Sequence, residues 1–203
     1  MKENKDHFKD KAKAYEQEGR RVDNVKNIAN SILNKITYKK DMVVMDFGSG
    51  TGLLTEKIAP YVDKIIAVDM SQSMNEVLES KKENFPCKLE IIEKDLSKDT
   101  LDMKFHSIIS SMTIHHVEDI FELFKSFHDM LEVGGTIALA DLETEDGTFH
   151  SEDTGVFHFG FDKDIFLETA SKAGFKNLNI ETVSVAKKPY GDFPIFLLTA
   201  TKK

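Results

Sequence analysis

Apolar residues along this chain gather in short runs, and between the runs they fall three and four positions apart. Seven runs read as strands, at about 42–46, 64–68, 88–92, 105–110, 136–141, 178–186 and 193–201. Helical spacing fills the intervals at about 52–61, 72–84, 118–131 and 162–173. Ahead of the first strand, Val25, Ile28, Ala29, Ile32, Leu33 and Ile36 share one helical face. The region of about 5–36 therefore reads as two helices, divided at Gly19, Arg20 and Arg21. Alternating strands and helices predict a parallel sheet with helices on both faces. The last two runs differ: only 187–192, with Pro189 and Gly191, separates them. So short a link permits an antiparallel hairpin and no crossover.

The join between the first strand and the following helix carries the strongest chemical signal. Met42-Val43-Val44-Met45 runs into Asp46-Phe47-Gly48-Ser49-Gly50-Thr51-Gly52, and Leu53 opens a helical pattern. Glycines in such a turn let the backbone approach a ligand, since no Cβ intervenes. The helix start behind them offers unpaired N–H groups. The second run ends in Asp69, at the spacing where a carboxylate at a strand tip accepts both ribose hydroxyls. Ser71 is placed to cap the helix that follows. Together these residues predict a nucleotide-type cofactor site.

Composition narrows the setting. The 203 residues are 40% hydrophobic and 31% charged, which suits one folded domain and excludes a disordered chain. We expect a single domain over 1–203, with a helical cap at 1–36, a cofactor-binding core at 37–203 and an insertion on the substrate side at 142–161. No apolar run approaches the ~20 residues of a membrane span. The first residues lack a secretory apolar region, and Cys87 is the single cysteine. A cytoplasmic location is expected. The net charge of −8 argues against a broad nucleic-acid surface.

The glycine turn reads G-x-G-x-G, whereas the dinucleotide fingerprint is G-x-G-x-x-G. With Asp46 two residues before Gly48, it resembles motif I of the class I S-adenosylmethionine (SAM)-dependent methyltransferases, of the small-molecule type. Asp69-Met70-Ser71-Gln72-Ser73-Met74 resembles that family's stretch after the second strand. Ile91-Ile92-Glu93-Lys94-Asp95-Leu96 is similar to its strand-end acid, and Phe105-His106-Ser107-Ile108-Ile109-Ser110-Ser111 to its fourth strand. Ile114-His115-His116-Val117 with Asp119, and Leu131-Glu132-Val133-Gly134-Gly135-Thr136, resemble the loop and turn that follow. The likeness covers about 40–200.

It implies a Rossmann-like, doubly wound, mostly parallel seven-stranded sheet in the order 3-2-1-4-5-7-6, the last pair antiparallel, with an N-terminal helical cap. It also implies SAM as cofactor and S-adenosylhomocysteine as product. On that basis Gly48, Ser49, Gly50 and Gly52 would hold the amino-acid end and ribose edge. Asp46 would meet the methionyl amine and Asp69 the ribose diol. Met70 and Met74 would flank the adenine. Asp95 would accept from its exocyclic amine beside the Leu96 N–H, and Ser111 would join the cofactor-binding set.

Methyl transfer from a sulfonium is an in-line displacement, so alignment and desolvation supply much of the rate. A base is needed only where the acceptor must lose a proton, a task suited to histidine. His115 and His116, just past the fourth strand, are the candidate catalytic residues. Tyr15, His150 and His158 are candidate substrate contacts. The acids and histidines of 141–158, with Phe149, Phe157, Phe159 and Phe161, admit three readings: a solvated acidic loop, a pocket for a cationic or aromatic small molecule, or a divalent-metal site from Asp141, Glu143, His115 or His150. No H-x-x-x-H spacing fixes such a site, and no metal is expected. The function expected is methylation of a small molecule by a monomer or homodimer without membrane contact, with nucleic acid an unlikely partner. Methylation of a protein or RNA component, or a non-catalytic SAM-binding module, are the alternatives.

Overall fold

A computed structural model describes Ala12, Glu16 and residues 19–150 and 154–203. The strands are β1 (Val43–Phe47), β2 (Lys64–Asp69), β3 (Lys88–Glu93), β4 (Phe105–Ser111), β5 (Leu131–Leu142), β6 (Lys176–Lys188) and β7 (Gly191–Thr201). The helices are α1 (Gly19–Lys35), α2 (Leu53–Ile58), α3 (Gln72–Ser80), α4 (Ile120–Met130) and α5 (Lys163–Lys172). The strands form one sheet in the order β3-β2-β1-β4-β5-β7-β6. β1, β2, β3, β4 and β5 pair in parallel, and β7 runs antiparallel to both β5 and β6. This is the topology the resemblance implied, including the terminal hairpin.

Period-two alternation along the strands divides the core in two. Val44, Ile65, Ala67, Leu89 and Ile109 pack with α1, α2 and α3, through Ile28, Ile32, Leu54, Ile58 and Leu78. Met45, Ile66, Val68, Ile108 and Leu139 face α4 and α5, through Phe124, Phe127 and Phe166. Polar side chains fasten the layers: Ser184 of β6 donates to Asn24 and accepts from Asn27, both on α1. Side-chain caps start three helices, with Ser71 accepting from the Met74 N–H, Asp119 from Glu122 and Asp162 from Asp164 and Ile165.

Element ends differ from the sequence expectation where local chemistry intervenes. Pro60 cannot donate, and the chain tightens into a 3-10 turn at Ala59–Tyr61 after α2 ends. Lys82–Asn84 is a second 3-10 turn, just before Pro86. β5 begins at Leu131, five residues early, because Leu131 already pairs with Phe105; Gly134, at φ +83°, then turns the chain before pairing resumes at Thr136 opposite Ser107. Gly19 opens α1, where the sequence suggested a break between two helices; most of the earlier segment, Tyr15 included, lies outside the described residues.

β2 lies on one side of β1 and β4 on the other, so the order of connection reverses between β1 and β4. The carboxyl ends of those strands form a crevice of the kind where ligands bind in open α/β sheets.

Candidate functional site

The glycine turn leaves β1 at this crevice. Gly48, Gly50 and Gly52 take φ of +65°, +53° and +87°, the left-handed region that costs other residues dearly. The three do different work. A Cβ on Gly48 would stand 2.1 Å from Thr113 Cγ2, and one on Gly52 2.4 Å from Leu78 Cδ1. A Cβ on Gly50 would meet nothing within 4 Å. At Gly48 and Gly52 glycine admits the protein's own side chains, and at Gly50 the space where a Cβ would stand is open.

Asp69 organises the turn. Its Oδ2 accepts from the Gly50 N–H and its Oδ1 from the Ser71 N–H, each at 2.8 Å. A carboxylate has about four acceptor positions and so serves more donors than these two. Asp46 is 1% exposed and accepts from the Thr55 hydroxyl at 2.5 Å. Burial pushes its carboxyl up to about 7, opposed by the Thr55 bond and assisted by the negative charge of Asp69. Among the described residues, the hydroxyls of Ser49, Thr51 and Ser111 are buried without a hydrogen-bond partner. Such orphans are rare in native interiors and mark a place for a polar ligand or water. Beside the open space at Gly50, they fit a polar cofactor laid across the turn.

The remaining cofactor candidates separate. Met70 is 47% exposed at the crevice rim, while Met74 and Leu96 are buried in the core. Asp95 folds back on its own turn: it accepts from the Ser97 N–H at 3.1 Å and from the Lys98 ammonium at 2.7 Å. Partial burial works to raise its pKa, but Lys98 and Ser97 hold it below the ordinary value.

Past β4 the chain turns sharply. Met112 has φ +59°, an uncommon conformation for a residue with a side chain, and donates to Ala140 at 2.9 Å. The following 3-10 turn, Ile114–His116, directs His115 inward. His115 is 1% exposed, and its Nδ1 lies 2.6 Å from Asp141 Oδ1. Its backbone N–H donates to the other Asp141 oxygen at 3.2 Å. Full burial of Asp141 opposes ionisation; the charge of His115 and the hydrogen bonds from His115 and Leu142 outweigh it and hold the carboxyl below its usual range.

His150 joins this pair, with its Nε2 3.3 Å from His115 Nε2. His116 completes a group of three, its ring centroid 4.4 Å from that of His115 and 5.9 Å from that of His150. His116 Nδ1 faces the Gly155 carbonyl at 3.4 Å. His150 is pushed down to about 3, by burial first and then by His115, His116 and Lys188. Phe149 stacks edge-on to His150 and to Phe193, and the Lys188 ammonium sits 4.9 Å over its ring.

His158 does not enter this group. Its Nε2 faces the carbonyls of Val117 and Glu118, and its backbone N–H and that of Phe157 both donate to the His115 carbonyl. Residues 157–158 thus tie the later part of the 142–161 segment, a strap, to the His115 turn. Phe161 enters the core against Phe166, whereas Phe157 and Phe159 are exposed. Glu143 is drawn away to Lys163 and Thr182. Sequence reasoning missed Thr55, Thr113 and the pairing of Asp141 with His115. Each is a contact across the fold, and only the adjacency of β4 and β5 hinted at the last.

A crevice at the switch point of a parallel sheet, floored by G-x-G-x-G and flanked by an acid at the tip of β2, defines a Rossmann-like cofactor fold. A family profile described as a methyltransferase domain matches residues 44–135. An uncharacterized methyltransferase of Schizosaccharomyces pombe is 30% identical over 166 residues, which are 73% of this chain and 58% of that protein's length. Among solved structures, the putative methyltransferase in the Haloferax volcanii complex with the Trm112 methyltransferase activator superposes with a TM-score of 0.77 at 14% identity, covering 97% of this chain and 98% of that one. Phosphoethanolamine N-methyltransferase 2 of Haemonchus contortus, in complex with S-adenosyl-L-methionine, gives 0.70 at 16% identity, covering 87% and 52%. At these identities the two structures establish a shared fold. The profile and the curated relative show a likeness to methyltransferases over the cofactor half of the chain, and the structures show the fold that SAM-dependent methyltransferases share. No helix of the described residues is long and apolar enough to cross a membrane.

Proposed function

We propose that this chain methylates a small molecule, with the cofactor across the 48–52 turn and the acceptor beside the histidines that follow β4. The observation that carries the reading is the division of the crevice into two chemically distinct halves. One half holds Asp69, the orphaned hydroxyls and the open space at Gly50. The other holds the buried Asp141–His115 pair with His150 and His116. When bound, SAM supplies an electrophilic sulfonium methyl.

The chain's own residues bind, orient and handle a proton. Asp69 accepts the ribose hydroxyls while the Gly50 and Ser71 N–H groups hold it in place. Asp46 faces the cationic amino-acid end, and Met70 flanks the adenine from the rim. The Asp141 carboxylate keeps the proton of His115 on Nδ1, which leaves the Nε2 lone pair facing His150 Nε2 at 3.3 Å. With no metal ion bound there, this His115–His150 pair is where an acceptor O–H or N–H loses its proton. The strap at 142–161 covers the acceptor and limits water there. The net charge of −8 favours a small molecule over a nucleic-acid acceptor.

The test pairs calorimetry with turnover. SAM and S-adenosylhomocysteine should bind and NAD should not, and incubation with pooled metabolites should yield S-adenosylhomocysteine with a product heavier by one methylene, read by mass spectrometry. Binding of NAD without SAM would sink the cofactor assignment. SAM binding with turnover only on added RNA or protein would sink the small-molecule reading.

A further inference from the structure

The three histidines at the acceptor side have the geometry of a metal site. Each offers a ring nitrogen, and these nitrogens all lie within 4.8 Å of one another. The tightest pair, Nε2 of His115 and Nε2 of His150, is separated by 3.3 Å. Two imidazole nitrogens bound tetrahedrally to zinc at about 2.0–2.1 Å stand about 3.3 Å apart, so this pair already has the required spacing.

The surroundings prepare the rings for the same task. A ligating histidine usually gives its other N–H to a carboxylate or a backbone carbonyl, which sets the tautomer and aims the lone pair. His115 has Asp141 at 2.6 Å from Nδ1, and His116 has the Gly155 carbonyl at 3.4 Å from Nδ1. At His115 this leaves Nε2 as the coordinating atom. His115 is pinned and buried, while His116 and His150 are half-buried, so rotation of the latter two can close the longer separations. Their partial exposure also leaves the site a solvent-facing side. Three protein nitrogens with an open fourth position are the arrangement of catalytic zinc sites, whereas structural sites are closed by four protein ligands.

We propose that His115, His116 and His150 bind one zinc-class divalent transition-metal ion, oriented by Asp141 and the Gly155 carbonyl, with the fourth position open to water or to an acceptor heteroatom. Imidazole ligands favour Zn²⁺, Co²⁺, Ni²⁺ or Cu²⁺ over Mg²⁺ and Ca²⁺. The assignment of the fourth position to the acceptor rests on the methyl-transfer reading above; binding of the ion does not.

The experiment uses the full chain, freed of metal with a chelator and dialysed. Zn²⁺ is titrated by calorimetry and Co²⁺ by visible absorbance, with Mg²⁺ as comparison and SAM binding measured on the same samples. The wild-type chain should take one Zn²⁺ or Co²⁺ and no Mg²⁺ at the same concentration. His116→Ala and His150→Ala should each abolish the tetrahedral Co²⁺ band, and Asp141→Asn should weaken Zn²⁺ about 10–100-fold, the range seen when an orienting partner is lost. His116 and His150 are half-buried, and retained SAM heat in their variants shows that they have folded. A wild-type chain that binds SAM but no Zn²⁺, or variants that bind Zn²⁺ as tightly as wild type, would overturn the site. Zn²⁺ binding without SAM binding would overturn the methyltransferase reading and leave the metal site standing.

Discussion

Asp46 and Asp69 are both acids at the crevice, yet their surroundings set them opposite tasks. Asp46 is buried with one hydroxyl donor, so its carboxyl titrates at about 7 in the folded chain. In the unfolded chain it titrates in the ordinary range, roughly 4. Between those values the folded state holds a proton that the unfolded state has lost, so stability falls as pH rises through this window. Above about pH 7 both states are ionised and the slope ends. Asp46→Asn should flatten that part of a stability–pH curve measured by denaturant unfolding. A bound cationic amine favours the ionised carboxylate, so SAM affinity should rise with pH below about 7, by up to about tenfold per unit, and Asp46→Asn should remove the dependence.

Asp69→Ala removes two charge-assisted acceptors from the ribose and should weaken SAM by about 1.5–3 kcal/mol by calorimetry. It also releases the Gly50 and Ser71 N–H groups, so the loss should lie toward the upper end. The glycines give a sharper contrast. Gly50→Ala places its Cβ in open space and costs the fold only left-handed strain, about 1–2 kcal/mol, while obstructing the cofactor. Gly48→Ala drives a Cβ into Thr113 and should lower the melting temperature further. Thr113→Gly in the Gly48→Ala background should recover part of that loss. Equal melting temperatures for Gly48→Ala and Gly50→Ala would show that the Thr113 contact does not decide the matter. The motif was plain from residue spacing, but which glycine has open space beside it was not. That depends on Thr113 and Leu78, which lie 65 and 26 positions further along the chain.

Among the elements, the described parts of 142–161 hold the turn that carries His115. Phe157 and His158 donate to the His115 carbonyl, and His158 Nε2 reaches the carbonyls of Val117 and Glu118. His158 is a candidate substrate contact, and its ring ties the strap to the turn that carries His115. His158→Ala should therefore loosen the acceptor side while sparing the cofactor side. The expected outcome is a higher KM for the acceptor and slower turnover, with SAM affinity by calorimetry unchanged. A fall in SAM affinity equal to the fall in turnover would count against the strap's acceptor role. Period-two and period-3.6 patterns located every strand and helix of the described core, because burying one face demands them. They missed the early start of β5, because Leu131 pairs with Phe105 ahead of the Gly134-Gly135 turn.

At the scale of the whole molecule, the crevice stands at one place because β1 lies between β2 and β4. A ligand there bridges the carboxyl ends of strands distant in sequence and should stabilise the fold as a unit. At about 100 times its Kd, SAM should add about 2.7 kcal/mol, read as a rise in melting temperature that NAD does not produce. Local order along the chain sufficed for the alternation of elements, the terminal hairpin, the glycine turn and the acid at the tip of β2. All of these follow from backbone sterics, hydrophobic periodicity and short-range spacing. Folding brought His115, Asp141 and His150 together and drew Glu143 away to Lys163. Those outcomes belong to the tertiary structure, because a side chain's partner depends on which strands are neighbours and where a loop folds back. Residue type and spacing along one chain carry no such distance.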